Sequence, residues 1–228
     1  PRKPKSPTLV SILRLHNIVL SLGSLVMFVG ALVEIVRRWH TAGHGLWLVC
    51  EDAEATSPNG PLFFWSYMYY LSKFYELLDT FLALLNGSIP PSFNLHVFHH
   101  ATVPLMAWLW LETVQSLQFV GLLANTAVHV LMYYYYALRT SGTTPSWKNM
   151  VTRAQIVQFM TSFVCLLLCL AVHFYGPDMQ RLLAPPAVVP STGCAGMPAL
   201  AFNAVFNLTL LASFLGVLNR NTKLRKTK

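Results

Sequence analysis

Six stretches of this chain are apolar over about the 20 residues that a helix needs to cross a bilayer, near 9–36, 63–85, 95–111, 117–138, 156–175 and 200–218. Water is absent from hydrocarbon, so the backbone of such a run must bond within its own segment. Runs of this length without period-two alternation therefore have to be helices. The expected fold is all-α, a polytopic transmembrane helix bundle with six spans in this chain. Only 11% of the residues are charged and 54% are hydrophobic, whereas a soluble domain carries about 25% charged residues. No composition shift, long linker or fixed-period repeat divides residues 1–228, which predicts one helical membrane domain. The first apolar stretch is too long for a signal peptide and lacks a small-residue cleavage site. The chain opens on Pro1 rather than methionine, so a native start upstream of it is expected.

Lysine and arginine set the expected orientation. Six spans place both termini and the loops at 86–94 and 139–155 on one side, with Arg2, Lys3, Lys5, Arg14, Arg139, Lys148, Arg153, Arg220, Lys223, Arg225, Lys226 and Lys228. The other side holds Arg37, Arg38 and Arg181 beside Glu51, Asp52, Glu54 and Asp178. The termini are thus predicted to be cytoplasmic. The net charge of +8 reads as this bias plus contact with anionic headgroups. Nucleic acid is not an expected partner, because the basic residues flank spans instead of forming one groove. The tail 223–228 suits either a retrieval signal or a plain positive-inside anchor. Cys50 and Cys194 fall in the two loops of the far, oxidising side, and a disulfide between them is predicted. Cys165 and Cys169 sit one turn apart inside a span and read as small core residues.

Ionisable side chains within a span usually face the protein interior or a cavity. In the second span Lys73, Glu76 and Asp79 recur at intervals of three and share one helical face, either as an ion-pair lock between helices or as the wall of a polar site. The third span opens with His96, His99 and His100, an HxxHH box at i, i+3, i+4. That box suits metal ligation, or acid–base and nucleophilic work. On the fourth span Asn125, His129 and Tyr133 recur every four residues. His99 lies 16 residues before Gln115 and His129 lies 14 after it. At about 1.5 Å per residue the two imidazoles then differ in depth by only about 3 Å across the hairpin. Gln155 and Gln158 stand at a similar level on the fifth span, to fix helix contacts or to orient a bound thioester or carboxylate. His16, His40, His44 and His173 lack such partners and are expected at interfaces or in loops.

Four segments together resemble the ELO family of very-long-chain fatty-acid elongases. Residues 70–80, YLSKFYELLDT, are similar to its KxxExxDT signature, and residues 96–100, HVFHH, to its histidine box. Residues 125–136, NTAVHVLMYYYY, resemble its NxxxHxxMYxYY, and residues 152–158, TRAQIVQ, its TxxQxxQ. Residues 61–66 and 193–196 resemble the plant and green-algal branch. The resemblance implies a seven-helix bundle in the endoplasmic reticulum membrane, its first helix preceding Pro1, with the active site toward the cytoplasm. It implies an acyltransferase that condenses long-chain acyl-CoA with malonyl-CoA to a 3-ketoacyl-CoA, releasing carbon dioxide and CoA. Pro91 stands where several animal polyunsaturate elongases carry glutamine, which favours saturated or monounsaturated chains.

By the same resemblance His99 would be the nucleophile and His129 an acid–base group or enolate stabiliser, with His96 and His100 orienting or polarising. Lys73, Glu76 and Asp79 would set the local charge, and Asn125, Tyr133, Gln155 and Gln158 would hydrogen-bond substrate. Imidazole is a competent acyl acceptor at neutral pH, and a dry cavity between helices protects an acyl-imidazole from water. Neither a metal nor a cofactor beyond the two CoA thioesters is expected. Membrane lipid and the reductases and dehydratase of the elongation cycle are the implied partners, and both a monomer and a homo-oligomer are compatible with the reading. Two rivals stand beside it. A histidine-box desaturase or hydroxylase needs several clustered boxes where one is present. A transporter needs broken helices or inverted repeats.

Overall fold

The computed structural model describes residues 6–226 apart from 53, 55, 86, 88–92 and 183–192, with the side chains of 177–182 and 220–226 left aside. Arg2, Lys3, Lys5, Pro91 and Lys228 therefore lie outside the described residues, as do the side chains of Asp178, Arg181, Arg220, Lys223, Arg225 and Lys226.

Six α-helices and one 3-10 turn make up the described chain: α1 Pro7–Ala42, α2 Pro61–Leu85, α3 Phe93–Glu112, α4 Gln118–Thr140, α5 Lys148–Leu182 and α6 Met197–Lys226. The chain is a polytopic helical membrane protein. Helices α1, α5 and α6 are long and apolar enough to cross a membrane by that measure alone. Helices α2, α3 and α4 are the ones that carry the ionisable and histidine clusters. The predicted spans are all present, though α5 begins eight residues before the apolar run at 156 and α1 extends six residues past 36. Their polar ends continue the helix into the interface.

The start of α1 has Pro7 in its first turn, where the missing N–H would have had no partner and the fixed φ suits the helix. It ends at Gly43, left-handed at φ 73°, whose N–H closes on the Trp39 carbonyl. Its outer face is apolar and open among the described residues, with Leu15 63% and Val26 58% exposed, a surface suited to lipid contact. Inside α3, Pro104 has no N–H to offer the carbonyl of His100, which loosens the helix at the histidine box.

Helices α2, α3, α6, α5 and α4 form a closed ring in that order, each packed on the next, and α4 returns to α2. Helix α1 stands outside this ring and covers the seam between α2 and α4. Close approach is possible there because residue 30 is glycine: a Cβ would come within 2.1 Å of the Trp65 ring. A core of Ala31, Tyr69, Met106, Trp110, Leu122, Phe159 and Phe206 fills the middle of the bundle.

Three loops are tied together at the end away from the chain termini. A Cys50–Cys194 disulfide joins the α1–α2 and α5–α6 connections. The Ala195 N–H donates to the Glu51 carbonyl at 2.8 Å, and the Ser116 N–H donates to the Ala195 carbonyl at 3.0 Å. The Glu51 N–H donates to Ser116 Oγ at 2.9 Å, and Arg38 and Thr56 hold the buried Glu51 carboxylate. Gly196, at φ 69°, lies against the Gln115 backbone where a Cβ would fall 2.5 Å from its Cα. His173, expected at an interface or in a loop, is instead on α5 and accepts the Cys194 N–H on Nδ1 at 2.9 Å.

The disulfide spans a sequence separation of 144. Helices held in a membrane already limit the unfolded chain, so the effect should fall at the low end of the usual range. We predict that Cys50→Ser destabilises the protein by about 2 kcal/mol, lowering its unfolding midpoint in detergent by about 4–8 °C. Thermal unfolding with and without reductant measures this, and non-reducing mass mapping that finds both thiols free would contradict the pairing.

Candidate active site

Lys73 and Glu76 are each 1% exposed in the middle of α2. The helical spacing of three brings them together, with Lys73 Nζ donating to Glu76 Oε1 at 2.6 Å. Removing one partner of such a pair leaves an unmatched charge away from water and costs about 3–5 kcal/mol. Lys73 Nζ also donates to Asn125 Oδ1 at 3.2 Å and stands 4.0 Å over the Tyr69 ring. The Tyr69 hydroxyl donates to the same Asn125 oxygen at 2.9 Å. On the other side of Glu76, His129 Nδ1 lies 3.5 Å from Oε1, while Oε2 is buried without a hydrogen-bond partner among the described residues.

One turn further along α2, Asp79 is held from two helices. The Tyr133 hydroxyl of α4 donates to Oδ2 at 2.7 Å. His16 of α1 places Nε2 2.7 Å from Oδ1. The sequence analysis set His16 aside as interfacial, and the structure corrects this: it is 5% exposed and packs on the Tyr75 ring with centroids 5.2 Å apart. Its partner lies 63 residues away, so no local spacing could have announced it.

The histidine box divides between two faces of α3. His96 Nε2 meets Thr80 Oγ1 of α2 at 2.9 Å, and the His96 and His100 rings lie with centroids 4.3 Å apart, tilted by 46°. His99 turns the other way, toward Phe206 of α6 at a centroid distance of 6.1 Å. There it lines a narrow cavity of about 50 Å³ among α3, α4, α5 and α6, with Asn125 and Gln158. The wall changes character with depth. Beyond His99 and Asn125 it becomes mostly apolar, through Met106, Val120, Leu166 and Leu200 to Leu117, beside the disulfide cluster, with the Asn203 amide one turn from Leu200.

The structure thus brings Lys73, Glu76, Asp79, Asn125, His129 and Tyr133 into one buried network, with His96 and His100 beside it and His99 at the cavity. Gln158 lines that cavity, whereas Gln155 points to Met132, its Nε2 3.6 Å from the sulfur. Among the described residues, no group of three His, Cys, Asp or Glu side chains is placed to hold a metal ion. Sequence reasoning missed Tyr69, Thr80, Ser162, Asn203 and Asn207 as well as His16. The last two could have been found, because two asparagines four apart in an apolar span carry the same signal as the motifs that were read.

The sequence profile of the ELO: GNS1/SUR4 family matches residues 2–228. A Dictyostelium discoideum protein provisionally named a fatty acid elongase is 44% identical over 70% of this chain and 52% of its own length. Fatty acid elongase sre1 of the same organism is 37% identical over 78% of this chain and 65% of its own. Fatty acid elongase 3-like of Arabidopsis thaliana is 28% identical over 94% of this chain and 72% of its own. The chain therefore spans about half to two thirds of the length of the first two relatives. No solved structure matches it.

We predict that His16→Leu, which strips one hydrogen bond from the half-buried Asp79, destabilises the protein by about 2 kcal/mol. His16→Gln, which can still donate, should restore most of that loss. Chemical or thermal unfolding of the two variants in the same detergent compares them directly.

Proposed function

Because the chain belongs to the ELO: GNS1/SUR4 family, we propose that it is the condensing enzyme of fatty-acid elongation, joining a long-chain acyl-CoA to malonyl-CoA. The observation that carries this reading is His99 on a cavity that turns from polar to apolar with depth, beside a buried network containing His129. A thioester at the polar level would extend its hydrocarbon tail toward Leu117 and Leu200.

Chemistry follows from the groups present. A neutral His99 nitrogen attacks the acyl-CoA carbonyl, the C–S bond breaks, and CoA leaves with a proton, giving an acyl-imidazole. Malonyl-CoA then loses carbon dioxide, and the electron pair of that C–C bond becomes an enolate without the need for a strong base. The enolate carbon attacks the acyl carbon, the C–N bond returns its electrons to His99, and the 3-ketoacyl-CoA departs. His129, leaning on Glu76, is suited to moving a proton or donating to the developing oxyanion. Lys73 pairs with Glu76 and gives the buried carboxylate a counter-charge in place of water. His96, His100, Asp79 and Tyr133 hold the surrounding geometry, and the helices exclude water from the acyl-imidazole.

On this reading the two CoA thioesters are the only small molecules required. The protein acts in the endoplasmic reticulum membrane with the start of α1, the end of α6 and the polar mouth toward the cytoplasm, where the reductases and dehydratase of the cycle take its product. Excess positive charge near the termini and in the α4–α5 loop supports that orientation.

A covalent route differs from a purely acid–base one before malonyl-CoA is added. We predict about one equivalent of free CoA per active site from acyl-CoA alone, a burst of the kind that marks covalent intermediates, with a matching mass adduct on the His99 peptide. His99→Ala should abolish both, whereas His129→Ala should retain acylation and lose condensation. An active preparation that shows neither burst nor adduct would exclude the covalent step.

A further inference from the structure

Helix α1 stands outside the ring, and none of the four motif segments falls on it. It nevertheless grips α4 at two levels. The Ser21 hydroxyl donates to the carbonyl of Val130, the residue after His129, at 3.0 Å. Asn17 Nδ2 donates to Thr140 Oγ1 at 3.5 Å, at the end of the same helix. These contacts seat α1 against α4 and fix the height at which His16 enters the bundle.

There His16 acts on a carboxylate that it shares with α4. An ionised carboxylate only accepts, so His16 Nε2 donates to Asp79 Oδ1 at 2.7 Å, and the Tyr133 hydroxyl donates to Oδ2, also at 2.7 Å. With both oxygens engaged the carboxylate cannot turn. With Oδ1 released it can, and the Tyr133 hydroxyl loses its fixed acceptor. Tyr133 is 1% exposed, and a buried hydroxyl does not stay without a partner, so the ring follows the carboxylate. That ring is one flank of His129, edge to face with centroids 5.3 Å apart. On the other side, Glu76 Oε1 lies 3.5 Å from His129 Nδ1. His129 is thus bracketed, and one bracket is anchored on α1.

We propose that His16 is a positioning residue for His129, acting through Asp79 and Tyr133, and that α1 belongs to the catalytic unit on that account. The proposal deepens the condensation reading and rests on His129 serving its second half-reaction. His99 is turned toward Phe206 of α6, away from this chain of contacts. The two half-reactions should therefore respond differently to the loss of His16.

The full chain in lipid nanodiscs is assayed in two steps, CoA release from acyl-CoA alone and then lengthening with malonyl-CoA, each per folded protein. In His16→Leu the CoA burst should keep its rate and amplitude, while lengthening slows about three- to tenfold, the effect of one net hydrogen bond. His16→Gln, which can still donate, should recover most of that rate. Tyr133→Phe removes only the hydroxyl that ties the His129 flank to Asp79. It should show the same split, and it covers the case in which His16→Leu does not fold. A purely structural His16 would lower burst and lengthening together; that result, or unchanged lengthening in the folded variants, would overturn the proposal. A second readout needs no turnover. The imidazole nitrogen NMR resonances of His129, identified by their loss in His129→Gln, should shift in His16→Leu and return in His16→Gln. If the wild-type protein shows no burst or never lengthens acyl-CoA, the covalent or the elongation reading fails and these resonances decide alone. Unmoved in His16→Leu and in Tyr133→Phe, they overturn the positioning.

Discussion

A lysine and a glutamate buried together in the middle of a membrane helix dictate much of what surrounds them. Lys73 and Glu76 neutralise one another at 2.6 Å, but a single contact cannot satisfy three N–H donors and two carboxylate oxygens. Part of the remaining capacity is met by α4: Asn125 accepts from the ammonium and His129 faces the carboxylate oxygen that Lys73 holds, while Glu76 Oε2 has no partner among the described residues. Asn125 is in turn fixed by Tyr69, which stacks on Trp110 with the rings 7° from parallel. The contact of α2 with α4, which closes the five-helix ring, thus runs through polar groups that have no other place to bond.

That arrangement separates two properties a lipid-handling site needs. Charge is concentrated on one side of the bundle, where Lys73 and Glu76 pair beside the His129 imidazole. The opposite side, on α5 and α6, is mostly apolar and carries neutral amides. With about 50 Å³, the cavity has room for a few waters and not for a long chain. Occupation by a long ligand requires the wall formed by α5 and α6 to move away from α3 and α4. The α2–α4 network is the part held by short hydrogen bonds, and so the less able to yield.

Much of this was legible from spacing, because helical periodicity converts sequence intervals directly into faces. The grouping of Lys73, Glu76 and Asp79 and the facing of Asn125, His129 and Tyr133 both follow from a 3.6-residue repeat, whereas the third and fourth spans, read as neighbours, are separated in the ring by α5 and α6 on one side and α2 on the other. Where two residues of a motif diverge, the same repeat explains it. His96 and His100, four apart, share a face, but His99 is rotated about 100° from His100 and looks into the cavity instead. His16 was illegible because its significance arises from a contact between helices far apart in the chain. The polar ties among the three loops were illegible too, since irregular backbone has no period to read.

The position of α1 outside the ring has a bearing on biogenesis. Synthesis delivers α1 before α2 and α4, yet two of its buried polar groups find partners on those helices: His16 on Asp79, and Ser21, whose hydroxyl donates to the Val130 carbonyl at 3.0 Å. Roughly 100 residues separate α1 from the end of α4, which at about 5–20 residues per second is a wait of several seconds to tens of seconds. During that interval a helix with a histidine in its first turns must reside in the bilayer or its insertion machinery without those partners. Helix α1 is made before the helices it docks on, and its arrival covers the seam beside Asp79.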